Sequence, residues 1–297
     1  MSNGNVFLTT TYYGPFFPEE IFAPPYLDIG TAEMLFQIAS ALVFATNNNA
    51  TLYVPSLNVY FKYNDIIKGN SIFRNINTDF SYNYLQYNTI YYDGEKNWKY
   101  CDDQQIIHNY SFYDNIHFKE NPFLNYFNFD ICYNLVLDTF SPNQTDIDYI
   151  TTKYPYMLNL SSNTCGLCVY KFNDVESYLN SPYFYYLQTS ALNLFKYLLS
   201  TGITNFIVFT NDITYMQTAL HTIIGAQFPG VNIYVPFEKD YMNIWMLSLI
   251  PVTVVSHSWV SWWGAYLNKN SNKVIHYLNF TDPTGIDLNR LPSWVSP

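Results

Sequence analysis

The chain has 297 residues, 49% of them hydrophobic and only 12% charged, with a formal net charge of −10. That length allows one large domain or two ordinary ones, and so hydrophobic a composition excludes a disordered chain. The acidic balance argues against nucleic acid as a partner, since phosphate-backbone binding needs a basic face; a few local donors can still hold a small anion.

The opening residues, MSNGNVFLTTTYYGPFF, lack a positive n-region and a continuous apolar core, so no signal peptide is expected. No apolar run has the length of a transmembrane helix, which predicts a cytoplasmic protein without membrane insertion. Residues 5–13 form a strand candidate, 30–49 a helix that Gly30 and Thr31 open and asparagines close, and 50–56 a strand, completing a β-α-β unit. From about 60 to 130 the chain is polar and aromatic with weak periodicity, and no elements are assigned there. The 30 tyrosines and 23 phenylalanines cluster among Asn, Ile and Lys, as in FSYNYLQYNTIYYDGEKNWKY; this reads first as coding bias and second as stacking surface.

Beyond 146 the pattern sharpens. A helix over 146–154 leads into strand 164–172 and helix 183–200. Strand 205–211, helix 212–224, strand 232–237 and helix 241–250 follow, then strand 252–256, helix 260–270 and strand 273–278. Strands alternating with helices across short connections predict an α/β fold with mostly parallel sheets. Two Rossmann-like domains are expected, 1–155 with an aromatic-rich insertion and 156–297, facing across a cleft. Ligands in such folds sit at the carboxyl ends of strands.

Cys101, Cys132, Cys165 and Cys168 are the four cysteines. Only CGLC has metal or redox spacing; zinc would want a second close pair, and the run is strand-like, so buried thiols are the expectation and no metal site is assigned. The sequons at Asn143 and Asn279 carry little weight in an Asn-rich chain. His108, His117, His221 and His276 have no partner spacing and read as ordinary residues.

Two turns carry possible chemistry. In VVSHSWVSWWGAYL a strand ends near Ser256 and a helix opens near Val260, so His257, Ser258, Trp259, Val260 and Ser261 occupy the turn and the first helical positions. Amide donors, the helix dipole and two hydroxyls suit an anion, most naturally a phosphate. The same residues serve equally as a Ser258 cap with Trp262 and Trp263 filling the core. In FTNDIT, Asn211 and Asp212 follow a strand, where they could pair with a purine base or simply cap the next helix.

SHSWVSWWGAYLNKN resembles the NSxFSWWxAxL signature of the α-1,2-fucosyltransferases, the family 11 glycosyltransferases. GTAEMLFQIASALVFA looks like that family's N-terminal GLGNQMFQYAxAxA, NFIVFTNDI is similar to its FxxFSDDxxW, and YMNIWMLSLIPVTVVSHS follows its DxxLMSxCxHxIxxNS. The resemblance covers residues 30–55 and 155–280, and the Asn- and Tyr-rich chain looks like a member from a giant, mimivirus-like virus, which would set it in host cytoplasm. The resemblance implies a GT-B-like fold, no metal, no cofactor, inversion at the sugar carbon, a GDP-fucose donor and a glycan acceptor. By it, Ser258, Trp259, Val260 and Ser261 lie against the donor pyrophosphate, Asn211 and Asp212 face the base, and the domain of residues 1–155 is the acceptor side.

The departures are specific. Where the family has His-x-Arg-Arg-Gly-Asp, this chain has CVYKFN, with Cys168, Tyr170, Lys171 and Asn173 at the matching positions. Tyr170 cannot make the bidentate bonds of a guanidinium, a loss of about two to three decades in rate. Lys171 supplies a point charge if the strand turns it inward, and His257, which stands where the family has asparagine, supplies one if a phosphate raises its pKa. Glu33, where the family has another asparagine, is the candidate base, or else a first-turn acid complementing the helix dipole. Three readings follow: a glycosyltransferase with an altered donor pocket, a non-catalytic binder of nucleotide sugar or glycan, and a structural protein of inherited fold.

Overall fold

A computed structural model describes residues 5–9, 31–55, 57–63, 65–78, 88–91, 116–119, 126–169, 193–210, 213, 228–255, 258–277, 291 and 293–294. The chain divides into two compact units, Met1–Ser141 and Pro142–Pro297. The expected boundary near 155 lies inside the second of these.

The first unit holds a four-stranded sheet. Its strands are β1 (Asn5–Thr9), β2 (Thr51–Tyr53), β3 (Asn88–Tyr91) and β4 (Ile116–Lys119), all parallel, in the order β2-β1-β4-β3. Helix α1 (Thr31–Asn47) connects β1 to β2. It is apolar nearly all round: Met34, Leu35, Phe36, Ile38, Ala39, Ala41 and Val43 are all buried, as a helix enclosed on every side requires. Its end is chemically explicit. Asn49 takes a left-handed φ of 51°, the Ala50 amide donates to the Ala45 carbonyl and the Asn49 amide to the Thr46 carbonyl, a Schellman closure that explains the run of asparagines. Helices α2 (Leu57–Tyr63), α3 (Phe127–Asp130) and α4 (Tyr133–Phe140) and a 3-10 turn at Lys68–Asn70 also belong to the unit. Phe36 of α1 meets Phe129 at 5.8 Å, and Phe73 meets Tyr60 and Phe140 edge-on.

The second unit opens with α5 (Gln144–Lys153), which begins in a reciprocal capping box between Asn143 and Asp146. Its five-stranded sheet has β5 (Thr164–Cys168), β6 (Asn205–Phe209), β7 (Asn232–Tyr234), β8 (Val252–Val255) and β9 (Val274–Tyr277), all parallel. The order is β7-β6-β5-β8-β9. Counted from β5 this is 3-2-1-4-5, the doubly wound order, with strand succession reversing between β5 and β8.

The two faces of this sheet are covered by different helices. Cys165, Leu167, Phe206, Val208, Val252 and Val254 project to one side, where Phe195 and Leu198 of the helical residues 193–200 meet them. That helix stops at Gly202, whose φ of 93° only glycine adopts freely. On the other side lie α6 (Asp240–Leu249) and α7 (Trp259–Tyr266). A Cβ on Gly166 would stand 2.8 Å from Leu247 Cδ2, and one on Gly264 would stand 2.4 Å from Leu247 Cβ. Two glycines thus let α6 seat against both β5 and α7.

The chain's α/β class with parallel sheets agrees with the sequence pattern. Strands β3 and β4 and helix α2 fall in the stretch without assignments. The last helix stops at Tyr266 rather than 270, because Asn268 bonds the Ile250 carbonyl and the Asn270 amide and draws the backbone out of the helix. The tail of the expected strand 164–172, the first half of helix 183–200 and most of helix 212–224 lie outside the described residues. Among the described residues, no helix is long and apolar enough to cross a membrane.

Candidate functional site

Parallel strands end on one rim, and β6, β5 and β8 are consecutive there. Lys171 follows β5 by three positions, Asn211 and Asp212 follow β6 by two and three, and His257 and Ser258 follow β8 by two and three. The order reverses between β5 and β8, and doubly wound sheets in general hold their ligands at such a reversal. Lys171, Asn211, Asp212 and His257 themselves, and the Glu33 side chain, lie outside the described residues.

The β8–α7 turn is described from Ser258. Ser258 caps α7 with extended backbone (φ −89°, ψ 124°), and its Oγ accepts the Val260 amide at 3.2 Å. Ser261 is wholly buried, and its hydroxyl donates to the Ser258 carbonyl at 2.6 Å. The Ser261 and Trp262 amides also donate to that carbonyl, at 3.0 and 3.2 Å. Val260 is buried and Trp259 partly exposed. Of the two serines, only Ser258 reaches solvent, while Ser261 braces the turn from beneath.

Trp262 and Trp263 are core residues. Trp262 stacks on Tyr266 at 4.9 Å and meets Trp294 at 5.7 Å, and Trp263 lies edge-on to both Trp262 and Tyr266. Trp294 closes the cluster against Tyr277 of β9. The paired tryptophans therefore hold α7 rigidly behind its first turn.

At the end of β5, the CGLC cysteines cannot act together. Residues three apart on a strand face opposite ways: Cys165 joins the cluster under 193–200, whereas Cys168 shares its face with Gly166 and α6. Neither is in a disulfide, and burial pushes both thiols up. Asp240, at the start of α6, adds to the Cys168 shift, and α6 itself seats on β5 through Leu247 over Gly166.

No protein-family model matches the chain, and neither does any curated protein sequence. Solved structures do. The fucosyltransferase NodZ from Bradyrhizobium matches with a TM-score of 0.51 at 12% identity, over 89% of this chain and 93% of that one. POFUT1 in complex with GDP-fucose matches with a TM-score of 0.55 at 8% identity, over 93% and 98%. NodZ alpha-1,6-fucosyltransferase soaked with GDP-fucose matches with a TM-score of 0.50 at 10% identity, over 91% and 97%. The chain has the fold of these fucosyltransferases. At such identities the likeness is one of backbone, and the second unit's rim is where this fucosyltransferase fold brings together the ends of β5, β6 and β8.

Proposed function

We propose that the chain is a glycosyltransferase that moves fucose, or a related deoxyhexose, from a nucleotide diphosphate to a glycan hydroxyl. The single observation that carries this is the strand order: in a doubly wound sheet, β6 and β8, the strands that lead into the motif-like sequences FTNDIT and SHSWVSWW, flank β5. The fold shared with fucosyltransferases solved with GDP-fucose supports GDP-fucose as the donor.

In this reading the acceptor hydroxyl attacks the anomeric carbon with inversion as the bond to phosphate breaks and GDP leaves. The start of α7 faces the leaving pyrophosphate, with the Ser258 hydroxyl as donor and the helix dipole favouring the anion. Trp259 and Val260 line the turn and Ser261 holds it. Lys171 and His257 supply positive charge where the resemblance expects arginine, Asn211 and Asp212 meet the base, and Glu33 takes the acceptor proton. The second unit is then the donor domain and the first the acceptor side. The sequence motif suggests an α-1,2 linkage, and one fold neighbour is an alpha-1,6-fucosyltransferase; the proposal extends to fucosyl transfer and leaves linkage to the acceptor test. No metal is invoked.

One observation favours the second reading, a binder without turnover. The residue aligned with the family's histidine, Cys168, is buried and its thiol pushed well up, so it contributes no charge. Incubating the full chain with GDP-fucose and a panel of oligosaccharides, while following GDP release and acceptor mass, separates the two. Acceptor gaining one deoxyhexose with GDP released is the expected result. Binding of GDP-fucose with no release favours the binder, and neither binding nor release overturns both.

A further inference from the structure

One acidic side chain outside the nominated turns is held far more firmly than a surface loop requires. Glu238 sits in the connection between β7 and α6, and its side chain is 10% exposed. Its Oε1 receives the Lys153 ammonium at 2.5 Å, the Tyr154 hydroxyl at 3.1 Å and the Tyr149 hydroxyl at 3.5 Å. Lys153 also donates to the Tyr149 hydroxyl at 3.1 Å and lies 5.5 Å above the rings of both tyrosines. The Glu238 bond is the main reason the Lys153 ammonium is held well above its ordinary pKa. All three donors come from the end of α5 and the residue after it.

The same loop is gripped by its backbone. The Tyr154 hydroxyl also reaches the Phe237 carbonyl at 3.1 Å, and on the α6 side Asn243 donates its side-chain amide to the Glu238 carbonyl at 3.4 Å and its backbone amide to the Lys239 carbonyl at 3.0 Å. Below, Tyr156 stacks on Tyr234 of β7 at 4.3 Å, so the clamp continues onto the strand. An exposed ion pair alone adds little stability. A carboxylate gathered by three side chains does something else, namely fix a backbone in one register. The loop leaves the carboxyl end of β7, on the rim where the parallel β5 also ends; Asp240, two residues beyond Glu238, begins α6, whose Leu247 packs over Gly166 of β5.

We propose that Glu238 is a positioning residue for the nucleotide-diphosphate site: Lys153, Tyr149 and Tyr154 fix the loop 235–239 through it, and the loop fixes the start of α6 against the carboxyl end of β5. The link to the nucleotide rests on the donor reading above; the loop's dependence on the clamp does not. Glu238 thus acts on the nucleotide through the backbone it holds and not by direct contact.

The test uses the full chain in three variants, Glu238→Gln, Lys153→Met and the conservative Lys153→Arg. Hydrogen exchange of amides 235–243 in the ligand-free protein should quicken at least about tenfold in the first two and stay within about twofold in Lys153→Arg. Titration with GDP, at a temperature where circular dichroism shows each variant folded, should give a Kd raised about tenfold in the first two and restored in Lys153→Arg. Unchanged exchange over 235–243 overturns the positioning role. Faster exchange with an unchanged GDP Kd overturns the link to the site, because a merely structural clamp lowers the melting temperature and leaves the folded protein's affinity alone. Wild type that binds no GDP overturns the donor reading, and exchange then decides the clamp by itself.

Discussion

The Ser258 oxygen accepts the Val260 amide, an arrangement that leaves the hydroxyl hydrogen to be donated outward. Capping and phosphate contact, which look like rival explanations in the sequence, are therefore compatible in one residue. Ser261 differs because its hydrogen is already committed to the Ser258 carbonyl. His276 raises a separate matter. It is 5% exposed on β9, meets Tyr197 edge-on at 5.6 Å, and its Nδ1 has no hydrogen-bond partner among the described residues. Burial lowers its pKa, so the unfolded chain takes up this proton at a higher pH than the folded one. Its contribution is full above about pH 6.5 and is lost as the pH falls from there toward the folded value, by at most about 1.4 kcal/mol per pH unit. Urea unfolding of His276→Gln at pH 7.5 and 5.5 should show a smaller loss on acidification than wild type; an equal loss would remove His276 as the cause.

Helix α7 depends on a single close approach. With a Cβ only 2.4 Å from Leu247 Cβ, Gly264→Ala forces α6 and α7 apart and should destabilise the second unit by about 1–3 kcal/mol, despite alanine's better helix propensity. Thermal unfolding followed by circular dichroism checks this, and a variant as stable as wild type would mean that the interface yields at no cost. The second unit's strands are legible in the sequence because strands covered on both faces read as near-continuous apolar runs, as in VTVV, broken only by Thr253, and the FIVF that follows Asn205. Strands β3 and β4 are not legible: NTIY and IHFK are only four residues long, each half polar, and lie in a background already rich in Tyr, Ile and Asn. Motif and apolar spacing pointed to the β8–α7 turn. The clamp on Glu238 joins residues 85 apart, Lys153 and Glu238, by side-chain bonds that no local pattern encodes.

The whole molecule is acidic, with a net charge of −10, so its mean field does not draw in a nucleotide diphosphate. In the proposed reading, binding therefore comes from local donors on the rim where β5, β6 and β8 end. A donor site at the start of α7 is checked by calorimetric titration of the full chain with GDP-fucose, comparing wild type with Ser258→Ala. Losing the cap should lower stability by about 1 kcal/mol and leave the protein folded. Losing a hydroxyl bond to a charged phosphate, worth about 1.5–3 kcal/mol, should raise the Kd by roughly ten- to a hundredfold. Equal affinity in the two proteins, or no binding of GDP-fucose by wild type, would contradict a donor site at the start of α7.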